Sequence, residues 1–329
     1  MRRRDVITLL AGGALAWPLV GHTQPTDRIR RVGVIVGLGD DTVGQPRLMA
    51  FKQRLRELGW IEGKNIQFDV RWAAGDADRV RAYADELIAL DPDVILAAST
   101  PVAMALRKTR SIPIVFTVVT DPIDAGLLTN PTRPEGNLTG FTNFDLSIGG
   151  KWIEMLKELA PPIARLGVDF DPANDPDISP YYKPSLKAAA HSFEVKLIEI
   201  PVHTQSEVER AIAGLADHRK TGIVVLPDST TTKHRDLLAA LTAKYRLPAI
   251  YPYRYFATSG GLVSYGIDTV DLFRRSAVYV HRILTGWKLA DLPVQTPTKF
   301  EFVLNLKAAK ALDLDIPPSL IARADEVIE

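Results

Sequence analysis

Short apolar runs rich in β-branched residues alternate with amphipathic helical patterns along almost the whole chain. In the first half, predicted strands cover 32–36, 66–71, 94–98 and 113–118, and predicted helices cover 45–58, 78–90, 101–107 and 121–128. Parallel strands need a crossover connection, which is usually a helix. The alternation therefore predicts parallel sheets covered by helices on both faces.

The same alternation starts again after about residue 145. Here the predicted strands cover 166–170, 195–200, 222–226, 248–251 and 261–265, and the predicted helices cover 147–159, 180–191, 206–217 and 231–245. Two five-stranded sheets suit this length better than one sheet of ten strands. The expected fold is α/β, with two doubly wound parallel-sheet lobes joined by hinge crossovers.

The C-terminal part of the chain is less regular. A helix over 269–284, a strand over 300–304 and a short helix over 306–312 must pack on lobes already built, so the chain is expected to cross between the lobes more than once. The predicted crossings lie at 140–143, at 266–268 and near 293–300. The predicted boundaries are 30–141 plus about 267–295 for the first lobe, and 142–266 plus about 300–329 for the second.

Residues 1–23 have the pattern of a secretory signal peptide. Three arginines at positions 2–4 precede an apolar run from Val6 to Val20, and the small residues Gly21 and Thr23 follow it. The run is too short, and too interrupted by glycine and proline, for a membrane-spanning helix. The paired arginines resemble a twin-arginine export signal; a buried N-terminal helix is the alternative. We predict cleavage near Thr23 and a periplasmic location.

Composition excludes several classes of function. With no cysteine, the chain has no zinc–thiolate site, iron–sulfur cluster or cysteine nucleophile. Lys plus Arg number 40 against 39 Asp plus Glu, which gives no basic surface for nucleic acid. Residues 37–42 lack the last glycine of a dinucleotide-binding fingerprint, and no H-E-x-x-H motif occurs. We expect no cofactor, no metal, no catalytic residue and no nucleic-acid partner.

Ligands of doubly wound sheets bind beyond the carboxyl ends of the strands. In the first half, two predicted strands end at Ser99-Thr100 and near Asp121. Hydroxyls and N–H groups at a helix start suit a carboxylate, and Asp121 suits a ligand ammonium group. These residue types also cap helices, and capping is the favoured alternative for Asp121.

The second half supplies further candidates at its own strand ends. They are Asn174 in a loop rich in turn formers, Tyr181 shortly after it, Asp228 and Ser229 after one strand, and Tyr265 at the end of another. Tyrosines suit an organic ligand with an apolar body, although Tyr265 alternatively borders a hinge. For Tyr253 and Phe256, core packing is favoured over ligand contact. Asp121 and Asp228 hold equivalent strand ends, so we expect them to face each other across a cleft.

Longer motifs are spread over nearly the whole chain. They comprise residues 2–10, the segment FKQRLRELGWIEG at 51–63, and residues 71–73, 120–122, 136–140, 226–229, 247–251, 260–266 and 317–320. Together they resemble the ABC-transporter substrate-binding protein family, whose best-known member is a tryptophan-binding component with the type I periplasmic-binding-protein fold. One departure is Asp171, which opens a loop where the family usually has asparagine and adds a negative charge beside the expected cleft.

The resemblance implies a receptor without enzymatic activity. Such a receptor closes on a small organic ligand, here an amino acid or an aromatic compound, and delivers it to an ABC permease in the inner membrane. We expect a monomer. The alternatives are a two-lobed glycosyltransferase- or epimerase-like enzyme, which would need a nucleotide site, and a sugar-repressor-like regulator. The regulator would need a basic helix-turn-helix at the N-terminus, where the export pattern stands.

Overall fold

A five-stranded parallel sheet forms the first of two lobes. The computed structural model describes residues 28–143, 147–173, 178–218 and 220–329. The elements of this lobe up to residue 143 are β1 (Arg30–Val36), α1 (Gly44–Glu57), β2 (Ile66–Trp72), α2 (Ala77–Ala89), β3 (Val94–Ala98), α3 (Thr100–Leu106), β4 (Ile114–Val119) and β5 (Leu138–Thr142). The strand order is β2-β1-β3-β4-β5, and every residue of β3 is buried. Complete burial is expected of a parallel strand covered on both faces.

A seven-stranded sheet forms the second lobe. The elements from residue 148 onward are α4 (Ile148–Leu159), β6 (Arg165–Phe170), α5 (Ile178–Ser192), β7 (Lys196–Pro201), α6 (Gln205–Ala216), β8 (Thr221–Val225), α7 (Ser229–Lys233), α8 (Arg235–Lys244), β9 (Ala249–Tyr251), α9 (Arg254–Thr258), β10 (Val263–Ile267), α10 (Thr269–Leu284), a 3₁₀ turn (Leu289–Asp291), β11 (Phe300–Asn305), α11 (Leu306–Ala311), α12 (Pro318–Arg323) and β12 (Glu326–Ile328). The strand order is β12-β11-β10-β9-β8-β6-β7.

The second sheet differs from the expected five parallel strands. The tail adds β11, which pairs antiparallel with β10, and the three-residue β12, which pairs parallel with β11. The helix expected over 231–245 is instead two helices, α7 and α8, that meet at His234. The helix expected over 121–128 is a series of turns, because the Asp121 carboxylate accepts N–H groups two and three residues on and Gly126 adopts a φ of +63°.

The chain passes between the two sheets three times. It leaves β5 for α4, leaves β10 for α10, and returns from the 3₁₀ turn to β11. Although α10 follows a strand of the second lobe, it packs on α1 and on β3, β4 and β5 of the first. Two of the crossing segments are joined by backbone hydrogen bonds, 3.0 Å from the Gln295 N–H to the Gly140 carbonyl and 3.0 Å from the Thr142 N–H to the Gln295 carbonyl.

Trp152 anchors α4 beside these crossings. Its ring is fully buried, and its Nε1–H donates to the Tyr265 carbonyl at 2.7 Å. Within the described ranges, no helix combines the length and the apolar character needed to cross a membrane.

Candidate functional site

A cavity lies between the two lobes at the carboxyl ends of their strands. First-lobe walls follow β1, β3 and β4 and include Ser99 and Thr100; second-lobe walls follow β8 and β9 and include Asp228, Ser229 and Tyr253. Its position at the facing carboxyl ends of the strands makes this cavity the candidate binding site.

Ser99 brings an unused hydroxyl to the cavity. Its Oγ is buried and has no hydrogen-bond partner, and its side chain does not cap α3. Its backbone has a φ of +137°, which is strained for any residue other than glycine. The neighbouring Thr100 hydroxyl accepts the Thr120 N–H at 3.2 Å. Of the two predicted hydroxyls, Ser99 is the one whose buried oxygen lacks a partner, as a ligand-binding group does before a ligand arrives.

Asp228 both lines the cavity and caps α7. Its carboxylate accepts the Thr231 N–H at 2.6 Å and the Asp171 N–H at 3.1 Å, and the residue is 5% exposed. These two bonds fix the carboxylate at the cavity wall. Ser229, the first residue of α7, lines the same wall. Asp228 can therefore cap α7 and contact a ligand at the same time.

Three predicted residues, Asp121, Tyr181 and Tyr265, do not line the cavity. The Asp121 carboxylate accepts the N–H groups of Ile123 and Asp124, so it caps a turn while Thr120 lines the cavity in its place. It does not lie opposite Asp228 on the cavity wall as expected, because this turn directs the side chain to its own backbone. Tyr181 packs edge-on against Tyr182 on α5, with ring centroids 4.9 Å apart.

Tyr265 belongs to the region of the crossings. Its ring stacks on Phe300 with centroids 5.9 Å apart, and both line a separate groove with Lys151 and Pro297. Tyr265 is not in the cavity lining and lies beside the crossings, where its alternative, a place at the hinge, would put it; its packing on a ligand stays a prediction. Asn174, also predicted to bind ligand, lies outside the described residues.

An arginine and two tyrosines complete the cavity. Arg47 of α1 lines it, with its guanidinium carbon 5.8 Å from the Tyr253 ring centroid and 5.5 Å from that of Tyr255. Thr232 and Tyr255 share a hydroxyl–hydroxyl hydrogen bond of 3.0 Å. Burial raises the pKa of both phenols, which keeps them neutral.

Sequence patterns missed Arg47, and they favoured core packing over ligand contact for Tyr253. Arg47 lies among apolar positions of α1. An arginine in such a helix is usually exposed to solvent, so this pattern gives no reason to expect it in a buried cavity. The one available signal was its place in the first turn of a helix that follows a strand end.

A buried acidic cluster lies beneath the second-lobe wall. Asp169 on β6 is 1% exposed, and neither carboxylate oxygen has a hydrogen-bond partner. Burial, with the negative charges of Asp228 and Asp171, raises the pKa of Asp169 well above its usual value, which favours the neutral, protonated carboxyl. Asp171 is fully buried and accepts the Thr230 hydroxyl at 2.5 Å, and it lies 2.9 Å from Nδ1 of His203.

The Asp171 carboxylate is thus hydrogen-bonded beneath α7, and Asp171 does not line the cavity. The negative charge that the sequence places in this loop is therefore not part of the cavity wall. In the described parts of the chain, no group of three or more His, Cys, Asp or Glu side chains is arranged to hold a metal ion.

An ion pair crosses the rim of the cavity. Asp41, in the loop after β1, lies 3.1 Å from Arg235 of α8 and also accepts the N–H groups of Val43 and Gly44 at 2.9 Å each. Burial acts to raise the pKa of Asp41, but these two N–H groups and the guanidinium outweigh it, so the pKa is lowered. We call this contact the rim ion pair, and it links the first lobe to the second.

Two α/β lobes, three crossings and a cavity between facing strand ends define the type I periplasmic-binding-protein fold. The chain belongs to the family of ABC transporter substrate binding proteins, whose family model matches residues 31–328. Members of this family are the small-molecule-binding components of ABC transporters.

Individual relatives agree with this assignment. A curated tyrosine-binding protein of Clostridioides difficile (strain R20291) is 30% identical over 267 residues, 80% of this chain and 75% of the relative. An ABC domain from Streptococcus pneumonia in complex with L-Trp is 24% identical, with a TM-score of 0.84 over 92% of this chain and 100% of that one. The ligand-free, open structure of a substrate binding protein with adhesive properties from Clostridium difficile is 26% identical, with a TM-score of 0.68 over 91% of this chain and 99% of that one.

Proposed function

We propose that this protein is the periplasmic receptor of an ABC importer and that it binds an aromatic amino acid in the cavity between its lobes. The observation that carries the proposal is the pairing, in one cavity, of the Asp228 carboxylate with the partnerless Ser99 hydroxyl. The family supports the transport role, and the ligands named for two relatives, tyrosine and L-Trp, support the amino-acid class.

Each end of an amino acid has a chemical counterpart in the cavity. Asp228 accepts hydrogen bonds from the ammonium group, and such a charge-assisted bond is worth about 1.5–3 kcal/mol. The Ser99 hydroxyl, with Thr100 beside it, donates to the carboxylate. Tyr253 and Tyr255 offer ring faces to an aromatic side chain, an arrangement that favours offset or edge-to-face packing.

The proposal includes the location and partners. Residues 1–23 act as the export signal, and the mature protein works as a monomeric receptor, without catalysis or nucleic-acid binding, that docks on an inner-membrane permease. The lobes have the boundaries given above, 30–141 plus about 267–295 and 142–266 plus about 300–329. N-terminal sequencing of the exported protein should begin near Gln24; a protein that still begins at Met1 in the cytoplasm would contradict export.

Titration of the protein with the twenty common amino acids tests the ligand class. The protein is first unfolded and refolded to remove any molecule bound during expression. We expect at least one aromatic amino acid to bind in calorimetry, to raise the melting temperature and to be recovered chemically unchanged. Binding of none of the twenty would overturn the amino-acid proposal, and conversion of the ligand would overturn the receptor proposal.

A further inference from the structure

Among the described residues, no carboxylate forms an ion pair with the buried guanidinium of Arg47. It lies in the first turn of α1, is 4% exposed and lines the cavity. Its Nη2 has no hydrogen-bond partner, and among the described residues no carboxylate lies within ion-pair distance of it. A buried cation in this state has lost its hydration without gaining an anion, which is unfavourable.

The two tyrosines satisfy Arg47 only in part. Their rings lie 5.8 and 5.5 Å from the guanidinium carbon and provide cation–π attraction. The N–H groups of a guanidinium lie in its plane and need oxygen acceptors there. The Tyr255 hydroxyl also hydrogen-bonds with the guanidinium, but Nη2 still has no acceptor, and burial keeps both phenols neutral, so neither supplies a negative charge.

The carboxylate of Asp228, in the same cavity, is fixed in place by backbone N–H groups and forms no ion pair with Arg47. It accepts the N–H groups of Thr231 and Asp171, at 2.6 and 3.1 Å. Moving it toward Arg47 would break the cap of α7 and leave the Asp171 N–H buried without an acceptor. The counter-ion must therefore come from outside the described chain.

We propose that the ligand carries a carboxylate that pairs with Arg47, which makes Arg47 a specificity-determining residue of the site. A carboxylate fits because it matches the planar fork of a guanidinium with two parallel hydrogen bonds. The inference rests on the proposed function in taking this cavity as the ligand site. An amino acid has two possible sources of this group, its α-carboxylate or a carboxylate at the end of its side chain.

Four probes separate these sources by calorimetric titration. L-tyrosine and L-tyrosinamide differ in the α-carboxylate, and 4-carboxy-L-phenylalanine and L-phenylalanine differ in a side-chain carboxylate. We expect the parent protein to prefer the carboxylate-bearing member of one pair by at least about tenfold, and Arg47→Met to abolish that preference. Equal weakening of all four probes by Arg47→Met, or a preference that survives it, would overturn the proposal.

Arg282→Met is the matched control. Arg282 also lies over two aromatic rings, 6.0 Å from that of Tyr279 and 4.8 Å from that of Trp287, but it does not line the cavity. This variant should keep the affinity for each probe within about threefold of the parent.

If the parent protein binds none of the four probes, that failure counts against the amino-acid proposal. The inference about Arg47 is then tested by the melting temperature of the ligand-free protein. Replacing an unpaired buried cation by an apolar side chain of similar length should leave the melting temperature unchanged or raise it. A clear fall would show that the folded chain itself satisfies Arg47 and would overturn the inference.

Discussion

Asp228 shows how a single side chain can hold a helix and a ligand. Its carboxylate is fixed by two backbone N–H groups, and the residue lines the cavity. Asparagine caps helices about as well as aspartate, whereas alanine does not. The two substitutions therefore separate the loss of charge from the loss of the cap.

We expect Asp228→Asn to weaken amino-acid binding by about ten- to a hundredfold, because one charge-assisted bond is lost. The melting temperature of the ligand-free protein should fall by less than in Asp228→Ala, since the amide oxygen keeps the cap although the Asp171 N–H loses its acceptor. Asp228→Ala should weaken binding similarly and also lower stability by about 2–4 kcal/mol, because the cap is lost and the Asp171 N–H is left without an acceptor. Calorimetry beside a thermal melt measures both effects. Unchanged affinity in Asp228→Asn would remove Asp228 from the ligand site.

Asp169 makes the stability of the fold depend on pH. Burial raises its pKa in the folded protein far above the value of about 3.9 in an unfolded chain. Below about pH 4 both states hold the proton; above it the unfolded state loses the proton first, so the free energy of unfolding falls as pH rises toward the folded pKa.

Asp169→Asn removes this titration without changing the shape of the side chain. We expect its melting temperature to exceed that of the parent by more at pH 8 than at pH 5. The exposed Asp315→Asn serves as a control and should show no such trend. A difference between Asp169→Asn and the parent that stays constant over this pH range would contradict the assignment of a neutral Asp169.

At the level of elements, β5 approaches β4 closely at Gly140. A Cβ atom at this position would lie 2.0 Å from the Phe116 carbonyl oxygen, and the φ of +155° is one that other residues rarely adopt. The Gly140 carbonyl also accepts the Gln295 N–H of another crossing segment. Only glycine permits the strand pairing and the crossing contact together.

Gly140→Ala should destabilise the protein by about 3 kcal/mol or more, since backbone atoms must move to accept the methyl group. Gly214→Ala is the matched control in the interior of α6, where a Cβ would meet nothing within 4 Å. This change should stabilise the protein by about 0.5–1 kcal/mol. Urea unfolding measures both. A Gly140→Ala protein as stable as the parent would show that the close approach of β4 and β5 is not required.

Burial explains which elements sequence patterns can predict. The strand β3 was predictable because Val94–Ala98 is apolar throughout and buried on both faces. The edge strand β12 was not, because its three residues, Glu326–Ile328, are only partly buried and carry no periodic signal. In the cavity, Ser99 and Asp228 stand at strand ends, where the topology of the sheet indicates a site. Arg47 became a candidate only when its packing against the rings of Tyr253 and Tyr255 was known.

For the whole molecule, binding between lobes implies a hinge motion at the three crossings. We expect L-tyrosine, or whichever amino acid binds, to reduce the radius of gyration in X-ray scattering and to slow hydrogen exchange near residues 140–143, 266–268 and 293–300. Asp41→Asn removes the rim ion pair and should weaken binding a few-fold at most, because such partly exposed pairs contribute little. A ligand that changes neither the radius nor the exchange would contradict closure.

The place of α10 in the chain constrains how a newly made molecule can fold. Leu272, Phe273, Ala277 and Val280 of this helix cover the first lobe, yet they are translated after all the parallel strands β6 to β10 of the second lobe. When residues 28–143 have left the ribosome, the first sheet and α1 have been made, but the helix that covers them, α10, has not. The first lobe therefore cannot be completed until the chain has been made as far as residue 284, after β6 to β10 of the second lobe, whereas domains made in sequence usually fold one after another. Until α10 is made, a growing chain exposes the apolar surface of the first lobe that this helix covers in the finished molecule.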